Sequence, residues 1–168
     1  MQYMKLTGPQ RAELMESLAM MHTFLREAFA TLSADEACIP GPNGSFSPVE
    51  QVWHLADLER EGFAVRIRRL RTEVDPVLPD FDGSRIARER DYKSLSLLAG
   101  LQAFEASRRE NIASLRSLSP EDWPRHGSLE GVGAVSICDM PAFLRQHDEA
   151  HMAEIKEWQR AMGRSRDA

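Results

Sequence analysis

The sequence predicts an all-α protein, a four-helix bundle with longer connections after the second helix and before the fourth. Three observations predict it. Four stretches place apolar residues at intervals of three and four, capping residues or breakers bound those stretches, and no run alternates apolar and polar residues as a half-buried strand does. The 168 residues fit one domain, residues 1–168, large enough to bury a core without a disulfide or a structural metal, so a bound metal is expected to be functional.

The first helix is expected to start at Thr7, which has capping-box spacing to Gln10, with Pro9 in the first turn where its missing N–H does no harm. Leu14, Leu18, Met21, Leu25 and Phe29 then form its core stripe, which runs to about Ser33. Residues 38–45, CIPGPNGS, concentrate proline, glycine and asparagine and read as a loop. Ser47, Pro48 and Glu50 give the strongest start signal in the chain, and the second helix follows through Val52, Leu55, Phe63, Ile67 and Leu70.

Residues 72–84 carry Pro76, Pro79, Gly83 and four acidic residues, the composition of a crossover loop with room for a short turn of helix. The third helix is expected to be established by Ser94 and to reach about Ser117, burying Leu97, Leu101, Phe104, Ile112, Leu115 and Leu118, with Ser119 and Pro120 stopping it. Residues 120–135, with Trp123, His126 and three glycines, read as a long connection without strands. The fourth helix starts at Ser136 or Asp139, since Pro141 is comfortable only in a first turn, and ends at Gly163; the final RSRDA is expected to fray.

The composition, 42% hydrophobic and 28% charged, is that of a globular protein. A net charge of -5 argues against nucleic acid or an anionic membrane as the main partner, because both reward clustered Lys and Arg. The one basic cluster, Arg66, Arg68, Arg69 and Arg71, reads as the solvated C-terminal end of a helix whose dipole favours cations. Cys38 and Cys138 lack CxxC spacing and suit a reducing cytosol. The amino terminus lacks the apolar core of a signal peptide, and no run of about 18 apolar residues occurs, so a cytoplasmic protein is expected.

The candidate chemistry starts in the fourth helix. His147 and His151 are four residues apart, so their rings stack on one face, close enough to chelate a single ion. Alone, this spacing also fits two surface histidines. Phe143, Leu144, Ala150 and Trp158 lie on or beside that face, however, and turn it towards the interior, where an unpartnered ring costs about 1–3 kcal/mol. His54, two turns inside the strongly capped second helix, supplies a third nitrogen. Three imidazoles leave one position of a tetrahedral ion open, as in catalytic sites.

Asp57, at i+3 from His54, is a candidate base or an orienting partner for that histidine, with an exposed helix carboxylate as the competing reading. Asp148 is expected to face solvent, and Glu50 to serve the capping box. Arg108 falls on the buried stripe of the third helix, seven residues after Leu101. An internal salt bridge is the default explanation and a clamp for a substrate carboxylate the alternative. His126 is a candidate substrate contact from the last long loop, and His22 reads as a satisfied core histidine.

Two segments, FSPVEQVWHLADLER and FLRQHDEAHMAEI, with the F-x-x-x-R of Phe104 to Arg108, resemble the DinB-like superfamily and its YfiT-type members over nearly the whole chain. The resemblance implies a four-helix bundle in which His54, His147 and His151 hold one divalent ion, zinc or nickel being favoured. It implies no single reaction: some relatives are linked to transfer of low-molecular-weight thiols, and others are described as hydrolases.

The expected function is therefore a cytoplasmic metal-dependent enzyme in which the ion activates a thiol or water for S-transfer or hydrolysis of a small-molecule substrate. A non-catalytic metal-binding stress-response bundle that pairs as a homodimer through an exposed helix face is the alternative, and a purely structural bundle the third reading. Free imidazoles would release the ion as the pH falls through about 6 to 7.

Overall fold

The computed structural model describes residues 1–164, so the expected fraying of the last residues falls almost entirely outside the described residues. A short α1 (Gln2–Lys5) precedes α2 (Gly8–Phe29), which begins as expected: Thr7 N–H donates to Gln10 Oε1 at 2.8 Å and Gln10 N–H to Thr7 Oγ1 at 3.4 Å. A single turn, α3 (Ala34–Ala37), follows. At the start of α4 (Pro48–Asp57), the Ser47 N–H and hydroxyl both donate to Glu50 Oε2, at 2.9 and 2.7 Å. That reciprocal cap fixes where the helix begins and hence the height of His54 in the bundle.

The second long helix is not α-helical throughout. Between α4 and α5 (Ala64–Thr72) lies a π-helical segment, Leu58–Phe63. The wider i→i+5 turn absorbs one extra residue without breaking the helix. After it come β1 (Val77–Leu78), α6 (Gly83–Glu89), α7 (Leu97–Arg116), β2 (His126–Leu129), β3 (Gly133–Ser136) and α8 (Met140–Ala161). Both readings of the last helix start are realised: Ser136 N–H donates to Asp139 Oδ2 at 2.9 Å, and Ile137–Asp139 make a 3₁₀ turn leading into α8 with Pro141 in its first turn.

The structure differs from expectation at the connections. Residues 126–136 form an antiparallel hairpin, turning through Gly131 and Gly133 at φ +74° and +99°, and β1 adds to β2 in parallel, giving the sheet order β1-β2-β3. Strands of two and four residues rich in Gly and Ser carry too little alternation to register as a pattern. The sheet fastens the long crossover before α6 to the connection before α8.

The helices neighbour one another in the order α4, α7, α2, α8, and the histidine contact closes the ring between α8 and α4. The interior holds two apolar clusters. One, towards the sheet, includes Leu18, Leu58, Ile67, Leu70, Leu78, Ile112, Leu115, Ile137 and Leu144; the other includes Met21, Leu25, Phe29, Val52, Leu55, Phe104 and Ile155. Along α7 and α8, a charged layer sits between them.

Arg108, 2% exposed, donates from Nε to Glu59 Oε1 at 2.9 Å and from Nη1 and Nη2 to the two oxygens of Asp148 at 2.7 Å each. Its Nη1 also donates to the Leu18 carbonyl at 2.9 Å, and Asn111 Nδ2 donates to Glu59 Oε2 at 2.7 Å. This corrects the expectation that Asp148 faces solvent: its carboxylate is buried because a guanidinium on α7 meets it there.

Candidate metal centre

The cap that fixes α4 and the two consecutive turns of α8 bring three imidazoles to one point. His54 Nε2 lies 3.4 Å from His147 Nε2, which lies 3.1 Å from His151 Nε2, and one nitrogen from each ring falls within 4.8 Å of the others. Metal–nitrogen bonds of about 2.0–2.1 Å in a tetrahedron set donor atoms roughly 3.3–3.4 Å apart. The spacing therefore fits a shared ion. His54 and His151 are each 8% exposed, so little solvent competes.

The protonation pattern fits as well. Gln51, a turn before His54, reaches across to α8. Its Nε2–H donates to Glu154 Oε2 at 2.7 Å, which turns its amide oxygen to His151 Nδ1 at 2.5 Å. A carboxylate only accepts, so the amide oxygen must be the atom facing His151, and Nδ1 must carry the proton. The lone pair of His151 is thereby placed on Nε2, towards its two neighbours.

Burial, with the charge of His151, pushes the His54 ring down to about 4. Burial, with His151, His54 and the more distant Arg108 and Arg66, pushes His147 down to about 2, and burial alone takes His151 to about 4. All three are neutral at pH 7, the form in which an imidazole can bind a metal. The other edge of the His54 ring packs against α6: a Cβ added at Gly83 would collide with it, and His54 Nδ1 is buried with no hydrogen-bond partner.

The remaining expected residues lie elsewhere. Asp57 is 1% exposed and its oxygens are engaged: Oδ1 by Arg60, and Oδ2 by Arg90 Nη1 and the Tyr92 hydroxyl at 2.5 Å each. Burial raises its carboxyl, but the hydrogen bonds from Tyr92, Arg60 and Arg90 outweigh this and hold it below the usual value. It anchors the segment after α6 to α4 and bonds to no imidazole.

Arg108 is the centre of the buried ion pairs described above and does not line the cavity beside the triad. His126, 71% exposed on its side chain, meets Asp75 Oδ1 at 3.0 Å on the surface and does not line the cavity beside the triad. His22 is half-buried, with Nδ1 2.7 Å from the Ala19 carbonyl.

A cavity of about 540 Å³ opens beside His54 and His147, walled by Leu58, Phe63, Arg66 and Phe81 among others, within the range of small-molecule sites. Arg66 was expected in a solvated basic cluster. It is instead 8% exposed, and burial draws its guanidinium below the usual arginine value against the opposing charge of Asp80. Of the rest of that cluster, Arg69 pairs with Glu73 and Arg71 with Asp122, and Arg68 is exposed.

Sequence reasoning missed Gln51 and Glu154, although a signal existed: they stand three residues from His54 and His151 respectively, on faces already assigned to the site. For Arg66 no local signal distinguished it from its exposed neighbours.

A sequence profile of the DinB superfamily matches residues 17–155. A protein of Geobacillus thermodenitrificans, named as a candidate metal-dependent hydrolase, is 27% identical over 140 residues, covering 83% of this chain and 78% of that protein. A Bacillus licheniformis protein with the same designation is 26% identical over 140 residues, 83% of this chain and 79% of its own. Among solved structures, YfiT from Bacillus subtilis, described as a candidate metal-dependent hydrolase with an unusual four-helix bundle topology, superposes with a TM-score of 0.86 at 20% identity, covering 95% of this chain and 91% of that one. A mycothiol-dependent maleylpyruvate isomerase superposes at 0.72 with 13% identity, over 92% of this chain and 63% of that one. At these identities the structural likeness establishes the fold.

Proposed function

The chain belongs to the DinB superfamily, and we propose that it is a metal-dependent enzyme whose single divalent ion, zinc or nickel, is held by His54, His147 and His151. The observation that carries the proposal is the convergence of three Nε2 atoms at 3.1 and 3.4 Å. Bound there, such an ion supplies a Lewis acid that lowers the pKa of a thiol or water in its open position to near neutrality.

The chain's own groups favour the thiol. Hydrolysis of an amide or ester gains from a carboxylate that moves protons; Asp57 is held by Arg60, Arg90 and Tyr92 and Glu154 by Gln51, which leaves Asp80 at the cavity wall as the carboxylate to test. A thiol needs less help, since it ionises on coordination. The proposed reaction is therefore transfer of a small thiol to an electrophilic substrate seated in the adjoining cavity, against Phe63, Phe81 and Phe143. The mycothiol dependence in the name of one structural neighbour supports this reading. The names of the two sequence relatives favour hydrolysis as the second.

Elemental analysis of protein purified without an affinity tag should find one ion per chain. With cobalt in its place, cysteine should produce a sulfur-to-metal charge-transfer band that His151→Ala abolishes. A spectrum unmoved by thiols, with metal-dependent turnover of an ester or amide, replaces S-transfer with hydrolysis. Metal-free protein of unchanged stability leaves a structural bundle.

A further inference from the structure

Two arginines are buried among the described residues, and they are treated in opposite ways. Arg108, 2% exposed, has carboxylates on two sides and a backbone carbonyl besides. Arg66, 8% exposed, has no described carboxylate within 4.0 Å of its guanidinium, and its Nε–H is enclosed without any acceptor. A buried guanidinium carries a full charge and five N–H donors, and leaving it unmatched is costly.

Phe63 holds the group in place, with the guanidinium carbon 5.3 Å from the ring centroid. Stacking uses the face of the group and leaves its N–H edge unused. Arg66 is part of the wall of the cavity that also contains His54 and His147.

We infer that Arg66 is the carboxylate-binding residue of this cavity, so that the substrate is a small carboxylic acid with an apolar body whose reacting end faces the three histidines. The inference rests on the reading of the cavity as the substrate site beside the triad. A planar N–H edge matches the two oxygens of a carboxylate. Leu58, Phe63 and Phe81 receive the apolar body.

The test compares two probes of equal shape, 3-phenylpropionate and 3-phenylpropionamide, titrated by NMR into the full-length chain as purified and after chelation, with near-UV circular dichroism confirming the fold. Chelation removes direct coordination of the acid as an explanation. The acid should bind about tenfold or more tighter than the amide in both states, the margin a charge-assisted pair supplies. Arg66→Gln should remove the preference, Arg66→Lys restore part of it, and His151→Ala retain it in full while lowering metal content.

Equal affinity for the two probes in the unmutated chain overturns the inference whether or not Arg66→Gln folds, and so does a preference that survives in folded Arg66→Gln. Metal content is read separately. A chain that holds its ion but does not discriminate refutes the role of Arg66 alone, whereas one that discriminates but holds no ion refutes the metal reading alone.

Discussion

Replacing Arg108 with methionine tests the charged layer directly. The substitution keeps most of the side-chain volume but strands two carboxylates, Glu59 at 2% and Asp148 at 5% exposure. Glu59 retains the bond from Asn111 Nδ2 at 2.7 Å, so the larger loss falls on Asp148, both of whose oxygens face Arg108. Breaking a buried pair by removing one partner costs about 3–5 kcal/mol. With a urea m-value of about 2 kcal/mol/M, this lowers the unfolding midpoint by roughly 1.5–2.5 M.

Burial already pushes the Asp148 carboxyl up despite Arg108, and without the guanidinium it rises further. The difference between variant and parent should therefore shrink from pH 7 to pH 5.5, as the stranded acid takes up a proton. Adding Asp148→Asn should recover more than half of the loss. Urea unfolding at both pH values measures each quantity. A loss below 1 kcal/mol, or one that Asp148→Asn leaves unchanged, would falsify the view that Arg108 serves to neutralise buried carboxylates.

Gln51→Leu should weaken metal binding by about 10–100-fold, the usual effect of removing a group that orients a ligand, with little change in urea midpoint; a chelator competition that finds no change refutes the tautomer argument. Gly83→Ala should displace the His54 ring and lower metal occupancy, measured by elemental analysis, and unchanged occupancy would show that α6 does not brace the ligand. The chelated chain should lose stability as the pH falls below about 6.5, where unfolded histidines begin to take up protons that the folded rings exclude, at up to about 1.4 kcal/mol per pH unit for each. This continues towards the folded values of about 4, 2 and 4, with protonation of Asp148 acting in the opposite direction. For the same reason metal should be retained below the range of about 6 to 7 expected for free imidazoles. Equal urea midpoints of the chelated chain at pH 7 and pH 5.5 speak against this account.

What the sequence made legible was whatever is written locally. The Thr7 and Ser47 caps, Pro141 and the apolar stripes placed the four long helices. The spacing of His147 and His151, with the depth of His54 below its cap, placed the triad. The hairpin at residues 126–136 escaped because its strands are short and glycine-rich. Charged residues misled for another reason. Asp148, Arg66 and Asp57 look like surface groups until residues far along the chain are brought beside them, and the 40 and 49 residues separating Arg108 from its partners leave no periodic trace.

The π-helical segment Leu58–Phe63 acts as a phase shifter. At about 100° per residue, the twelve steps from His54 to Arg66 would set these side chains about 120° apart on a regular α-helix, whereas one residue absorbed by the wider turn reduces the angle to about 20°. The apolar positions Val52, Leu55, Ile67 and Leu70 stay within an arc of about 120° in either phase, broad enough to face a core both ways. The hydrophobic pattern is thus blind to the shift, and only the polar residues register it. Removing a single residue from that turn would leave eleven ordinary α-helical steps between the two side chains, the same angle of about 20°, and so give a regular helix with Arg66 still beside the cavity. Holding the same twelve steps as a regular α-helix would instead turn Arg66 by about 100° from its place beside the cavity, with His54, His147 and His151 unmoved.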